Sequence, residues 1–324
     1  MKRREFITLL GGAAAAWPLT ARAQQQKMPT IGFLGSATSA TQGQWVAAFV
    51  QHLRELGWIE GRTVAIELRW AEGRTERYAE IAAEFVRLNV DVIVTGGTPT
   101  ALAAKRATAV IPIVFAMTGD PVGTGLVAHL ARPGGNLTGL STQTTDTVSK
   151  RIELLREVVP NLRRLAILAN INSPVVALEM GEAQGAANTL GLEVVTLEVG
   201  RAQDIERTFE TLGRADGLYV CADPLVSANR TRINALALAA RLPTVAAERQ
   251  YVEAGLLASY GIDQRESYRR GASYVDRILK GAKPGDLPIE FPTRIELTIN
   301  LKTAKALGLD LPPSLVTRAD EVIE

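Results

Sequence analysis

Among 324 residues the chain has one cysteine, Cys221, and two histidines, His52 and His129. A lone thiol closes no internal disulfide, so an oxidising compartment would lend this fold no covalent staple. With so few thiols and imidazoles, no zinc spacing can be assembled, and two-cysteine racemase chemistry is excluded as well. An excess of charge of one sign is also missing. Lys and Arg total 36 against 34 Asp and Glu, which leaves no cationic footprint for nucleic acid or an anionic membrane. The sequence contains no G-x-S-x-G elbow, and GFLGSAT stands where a dinucleotide-binding G-x-G-x-x-G would follow the first apolar run. The glycine-rich TGDPVGTGLV (118–127) has Leu126-Val127 where a phosphate loop needs Lys and a hydroxyl. Neither a cofactor nor a metal is expected.

What is present begins with the N-terminus. MKRREFITLLGGAAAAWPLTARA places Lys2, Arg3 and Arg4 before an apolar stretch from Phe6 to about Leu19, then closes on Ala21-Arg22-Ala23. That is the anatomy of a cleaved export leader, and the Arg3-Arg4 pair looks like a twin-arginine signal. The stretch is shorter and more diluted by glycine and alanine than the ~20 strongly apolar residues of a spanning helix. Residues 1–23 are therefore read as a leader to the periplasm, cut near Ala23. Four of the 36 cationic and one of the 34 anionic residues lie there, so the mature chain carries a net charge of −1. Cys221 is too far away to be a lipid-bearing N-terminal cysteine.

Beyond the leader, short apolar runs alternate with longer helical ones. TIGFLG (30–35), VDVIVTGG (90–97) and IPIVFAM (111–117) read as strands. Between them, QWVAAFVQHLRELG spaces Val46, Phe49, Val50 and Leu53 at the three-and-four interval of one helix face and ends on Gly57. The order then recurs from RLAILAN (164–170) to LPTVAAE (242–248). VDVIVTGGTP echoes ADGLYVCADP, IPIVFAM echoes LPTVAAE, and Leu56-Gly57 echoes Leu190-Gly191. Strands parted by helices at these lengths predict an α/β fold of two doubly wound parallel-sheet lobes, with crossings that make a multi-strand hinge. The first lobe is expected over 29–143 plus about 258–285, the second over 144–257 plus about 286–324. PLVSANRTRINALALAA (224–240) reads as one helix.

Ligands of open parallel sheets sit beyond the carboxyl ends of the strands. That rule selects Ser36, Gly97, Thr98, Thr118 and Asp120 in the first lobe, and Asn170, Ser173, Asp223, Glu248 and Tyr251 in the second. Thr98-Pro99, Ser173-Pro174 and Asp223-Pro224 read as helix caps followed by proline, and free amides at such starts suit an anion. Plain capping explains these pairs equally well. The carboxylates Asp120, Asp223 and Glu248 would take an ammonium or hydroxyl, while Tyr251, or less directly Trp70, would stack on an apolar portion. Glu248 and Asp120 as a hydrolytic pair would need a separation that the sequence does not give. TGDPVGTGLV reads as a cleft loop beside a hinge.

PIVFAMTGDPVGTGLV, RPGGNLTGLS and INLKTAKALGLDLPPSLVTRADEVI resemble the matching stretches of ABC-transporter substrate-binding proteins of the tryptophan/tyrosine-binding type, from about Ile31 to Ile323. The resemblance implies a type I periplasmic-binding fold with a three-strand hinge and a small solute in the cleft. It also implies a non-enzymatic role, with an ABC permease and ATPase in the inner membrane as partners. The residues themselves suggest a small carboxylate-bearing solute, an amino acid or aromatic acid, with a neutral sugar as the second ligand class. Two alternatives remain at this level: an exported two-lobed enzyme of glycosyltransferase type, or the ligand-sensing subunit of a signalling system.

Overall fold

The computed structural model describes residues 28–142, 144–291 and 294–324. Residues 1–23, read from the sequence as a leader, lie outside them. Five strands, β1 (Thr30–Gly35), β2 (Ala65–Trp70), β3 (Val92–Gly96), β4 (Ile113–Thr118) and β5 (Leu137–Ser141), form a parallel sheet in the order β2-β1-β3-β4-β5. A second sheet has the order β12-β11-β10-β9-β8-β6-β7, from β6 (Arg164–Asn170), β7 (Glu193–Val199), β8 (Gly217–Val220), β9 (Thr244–Ala246), β10 (Ala258–Ile262), β11 (Ile295–Asn300) and β12 (Glu321–Ile323). Only its β10–β11 pair is antiparallel. Read from β7, the second sheet begins 7-6-8-9-10, which repeats the 2-1-3-4-5 order of the first. The echoed landmarks fall on equivalent strands, β3 with β8 and β4 with β9.

The helices form because their apolar residues share a face. In α1 (Ser39–Glu55), Trp45, Val46, Phe49 and Leu53 are buried. Thr38 caps its start by accepting from the Thr41 amide at 3.3 Å. The helix stops at Leu56, and Gly57 takes a φ of +95° that a side chain would resist. Together with α10 (Gln264–Leu279), α1 covers one face of the first sheet, where Phe33, Phe49, Tyr268 and Val275 share a core. The other face is closed by α2 (Thr75–Leu88) and α3 (Thr98–Ala107), packed around Phe85 and Phe115. The second sheet is sandwiched likewise. On one side lie α4 (Val148–Val158) and α5 (Pro174–Thr189); on the other lie α6 (Ile205–Glu210), α8 (Arg230–Ala239) and α9 (Arg249–Glu253). The helix read over 224–240 is broken. Its first turn is α7 (Pro224–Ala228), and Asn229, at ψ 13°, turns its side-chain amide back to the Leu225 carbonyl at 2.8 Å before α8 begins. Between β11 and β12 lie the last two helices, α11 (Leu301–Leu307) and α12 (Pro313–Arg318).

The chain passes between lobes three times: after Ser141, between Ile262 and Gln264, and between Glu290 and Ile295. The second passage comes later than the expected 258, because residues 258–262 pair with β9 and β11. The third also comes later than 286, since Glu290 still bridges Leu140 of the first sheet.

Candidate functional site

The carboxyl ends of the two sheets face each other across a cleft of about 770 Å³, counting its opening to solvent. The first lobe supplies a wall of small and hydroxylated residues, held in place by their own lobe. Ser36 Oγ donates to the Gly96 carbonyl at 2.7 Å and accepts from Gln42 Nε2 at 2.9 Å, while Gln42 Oε1 accepts from the Ala37 amide at 3.0 Å. Thr98 Oγ1 accepts from the Gly119 amide at 3.0 Å, and Thr118 Oγ1 donates to the Leu140 carbonyl at 3.4 Å. Trp45 of α1 adds the aromatic surface. It is backed by Tyr268 with ring centroids 5.7 Å apart.

The second lobe supplies the charge. Arg151, on the buried face of α4, lines the cleft with no solvent exposure. Its Nη2 donates to the Thr144 carbonyl and, at 3.0 Å, to Thr147 Oγ1. Its Nε and Nη1 have no hydrogen-bond partner among the described residues. Behind it Glu179 of α5 accepts from the Tyr219 hydroxyl at 2.7 Å and from the Ala222 amide at 2.9 Å. Burial pushes the Glu179 carboxyl up from its ordinary range, and the neighbouring Arg151 partly offsets this. Asp223 and Glu248 are likewise pushed up, chiefly by burial. Asp223 accepts from Asn170 Nδ2 at 2.9 Å and caps α7 through the Leu225 amide at 2.8 Å. Glu248 accepts from Ser227 Oγ at 3.1 Å and from Gln250.

Of the residues selected by the strand-end rule, Ser36, Gly97, Thr98, Thr118, Asp223 and Glu248 line this cleft. The other four stand apart from it. Asp120 folds back on its own loop and accepts from the Val122 and Gly123 amides at 3.1 and 2.8 Å. Asn170 is spent on Asp223, and Ser173 is buried at the start of α5 without a capping bond. Tyr251 belongs to the core of the second lobe, 1% exposed, because α9 turns it inward rather than toward the cleft. Trp70 packs on Phe33 in the first-lobe core, with centroids 6.2 Å apart. Thr98 is not a cap, since Gly97 holds the cap position of α3. Strand ends alone miss Gln42 and Trp45 on α1, Thr142 and Thr144 on the first crossing, and Arg151. One signal for Arg151 was available. It sits three residues after Val148 and four before Leu155, on the apolar stripe of its helix.

Residues 38–323 match the family described as ABC transporter substrate binding protein. The chain is 28% identical over 290 residues to a tyrosine-binding protein of Clostridioides difficile, covering 89% of this chain and 83% of that one. A Streptococcus pneumoniae ABC domain in complex with L-Trp superposes with a TM-score of 0.86 at 27% identity, over 91% of this chain and 99% of that one. A ligand-free, open substrate-binding protein from Clostridium difficile gives 0.67 at the same identity and the same coverages. With fold, cleft and a family match over residues 38–323 in agreement, this chain belongs to the ABC transporter substrate-binding proteins.

Proposed function

We propose that this chain is the solute-capturing subunit of an ABC importer, and that its cleft holds a small carboxylate-bearing solute, an amino acid or an aromatic acid. The observation that carries the reading is Arg151, a fully buried guanidinium on the cleft wall whose Nε and Nη1 have no hydrogen-bond partner among the described residues. Such donors are costly to leave unmade and match a carboxylate in a charge-assisted pair. A neutral sugar could accept from these donors but would bring no charge of its own to them. The names of the relatives, a tyrosine-binding protein and an L-Trp complex, support the same class. The expectation that helix starts alone would hold the anion gives way to a side chain. Ser36, Gly97, Thr98 and Thr118 are assigned contacts to the solute from the first lobe, and Glu248 an ammonium or hydroxyl from the second. In this reading the protein is not an enzyme and delivers its solute to a permease and ATPase in the inner membrane. Residues 1–23 export it to the periplasm.

The experiment compares carboxylic acids with their primary amides in a thermal-shift screen that includes L-Tyr, L-Trp, aromatic acids and sugars. A ligand at ~100 times its Kd adds about 2.7 kcal/mol of stability. Acids should shift the melting temperature and their amides should not. Equal shifts by acid and amide, or a response to sugars alone, would refute the anion site.

A further inference from the structure

Four glycines of the first lobe meet two helix starts of the second. Facing α7, a Cβ built at Gly73 would lie 3.8 Å from Ala228 Cβ, and one at Gly97 would lie 3.8 Å from Pro224 Cγ. Facing α5, a Cβ at Gly123 would lie 2.9 Å from Leu178 Cδ1, and one at Gly119 would overlap Val175 Cγ2. Within its own lobe the nearest atom to the same Cβ at Gly119 is Thr98 Oγ1, at an ordinary 3.8 Å. The loop that carries Gly119 is shaped by its own lobe. Its amide donates to Thr98 Oγ1, its carbonyl accepts from Ser141 Oγ at 3.0 Å, and Asp120 ties the following turn. The start of α5 is equally fixed, with Val176, Ala183 and Ala187 in the core beneath it. Two preformed surfaces therefore meet, one of bare backbone and one of side chains.

We infer that this glycine seam sets how far the cleft can shut, and that Gly119 is its controlling residue. Val175 reaches the shut position only because nothing projects from Cα of Gly119. A methyl group there would leave the first lobe intact and hold the lobes apart. The inference rests on the interlobe cleft being the capture site, yet its test needs no solute, so the two can fail separately.

The test is a disulfide trap. Gly73→Cys with Ala228→Cys brings two Cβ atoms to about 3.8 Å, the mean for disulfides; because Gly73 holds a φ of +73°, which a side chain resists, Gly73→Cys alone is first shown to be folded by its melting curve. Cys221, fully buried, stays as a spectator in every variant. Under mild oxidation, loss of free thiol and faster migration on a non-reducing gel report closure. The parent pair should cross-link, and adding Gly119→Ala should slow the reaction about tenfold or more, the scale of forcing a methyl into a packed contact. Adding Val175→Ala to that variant should restore the rate to that of Val175→Ala alone. Gly43→Ala, which faces open space on α1, should leave the rate unchanged. A parent pair that never cross-links, a Gly119→Ala variant that traps as fast as the parent, or a loss that Val175→Ala does not relieve would each overturn the inference.

Discussion

The guanidinium of Arg151 stands 3.9 Å from the carboxylate of Glu179, and neither side chain has any exposure to solvent. The pair bridges α4 and α5 beneath the cleft, and two nitrogens of its cationic member, Nε and Nη1, have no hydrogen-bond partner among the described residues. Everything proposed about the solute depends on this asymmetry.

Removing one member should cost more than removing both. Arg151→Met leaves Glu179 buried without a counter-ion and should lose ~3–5 kcal/mol of stability at neutral pH. The double variant Arg151→Met/Glu179→Gln should recover much of that loss, measured by urea unfolding. Without Arg151 the carboxyl rises further still, since that cation is what lowers it. The penalty of the single variant should therefore shrink as pH falls and Glu179 takes up a proton. A penalty independent of pH would mean that Glu179 is not the source of the cost.

Glu248 offers a second pH test of opposite practical consequence to ordinary acid unfolding. Burial raises its carboxyl above the ordinary 4.5. A group with a raised folded value binds its proton more tightly when folded, so its contribution to stability grows as pH falls through that value. Glu248→Gln removes the contribution while keeping an acceptor for Ser227. The variant should melt higher than the wild type at about pH 8, with the difference narrowing toward about pH 5. A constant difference would show that burial does not perturb this carboxyl.

Tyr251 makes a negative prediction. Its hydroxyl is buried and has no partner among the described residues. Tyr251→Phe deletes an unsatisfied polar atom and should stabilise the protein by about 1 kcal/mol, the lower end of the cost of leaving such a group unpaired. Binding of any acid found in the screen should be unchanged. Weakened binding would return Tyr251 to the cleft.

Trp45 should report occupancy. It lines the cleft, whereas Trp58 and Trp70 pack against the first-lobe core. Binding of an acid should change tryptophan emission in the wild type, and Trp45→Phe should abolish the change while the emission of Trp58 and Trp70 remains. A change that persists in the variant would place the solute away from α1.

Sequence and structure divide the explanation at a definite point. The sheets were legible because their strands are short apolar runs separated by helical periodicity, a local pattern that the chain writes twice. The strand-end loops were legible for the same reason, and six of the ten residues chosen from them line the cleft. The other four do not line it, because a loop position does not reveal which way a side chain turns. Asp120 turns onto the amides of Val122 and Gly123 in its own loop, and Tyr251 turns into a core that exists only once α9 packs.

By itself, then, the sequence determined the alternating α/β order, the internal repeat and, with one cysteine, that no disulfide closes within the chain, all properties of composition and near neighbours. Tertiary structure alone decided where the crossings fall, which aromatic faces the cleft, and that Arg151 lies beside Glu179 with donors to spare. Those are relations between residues distant along the chain. In α4, Arg151 is one polar interruption of an apolar stripe, and only the packing of α5 and the crossing through Thr144 turns that interruption into a charge on the cleft wall.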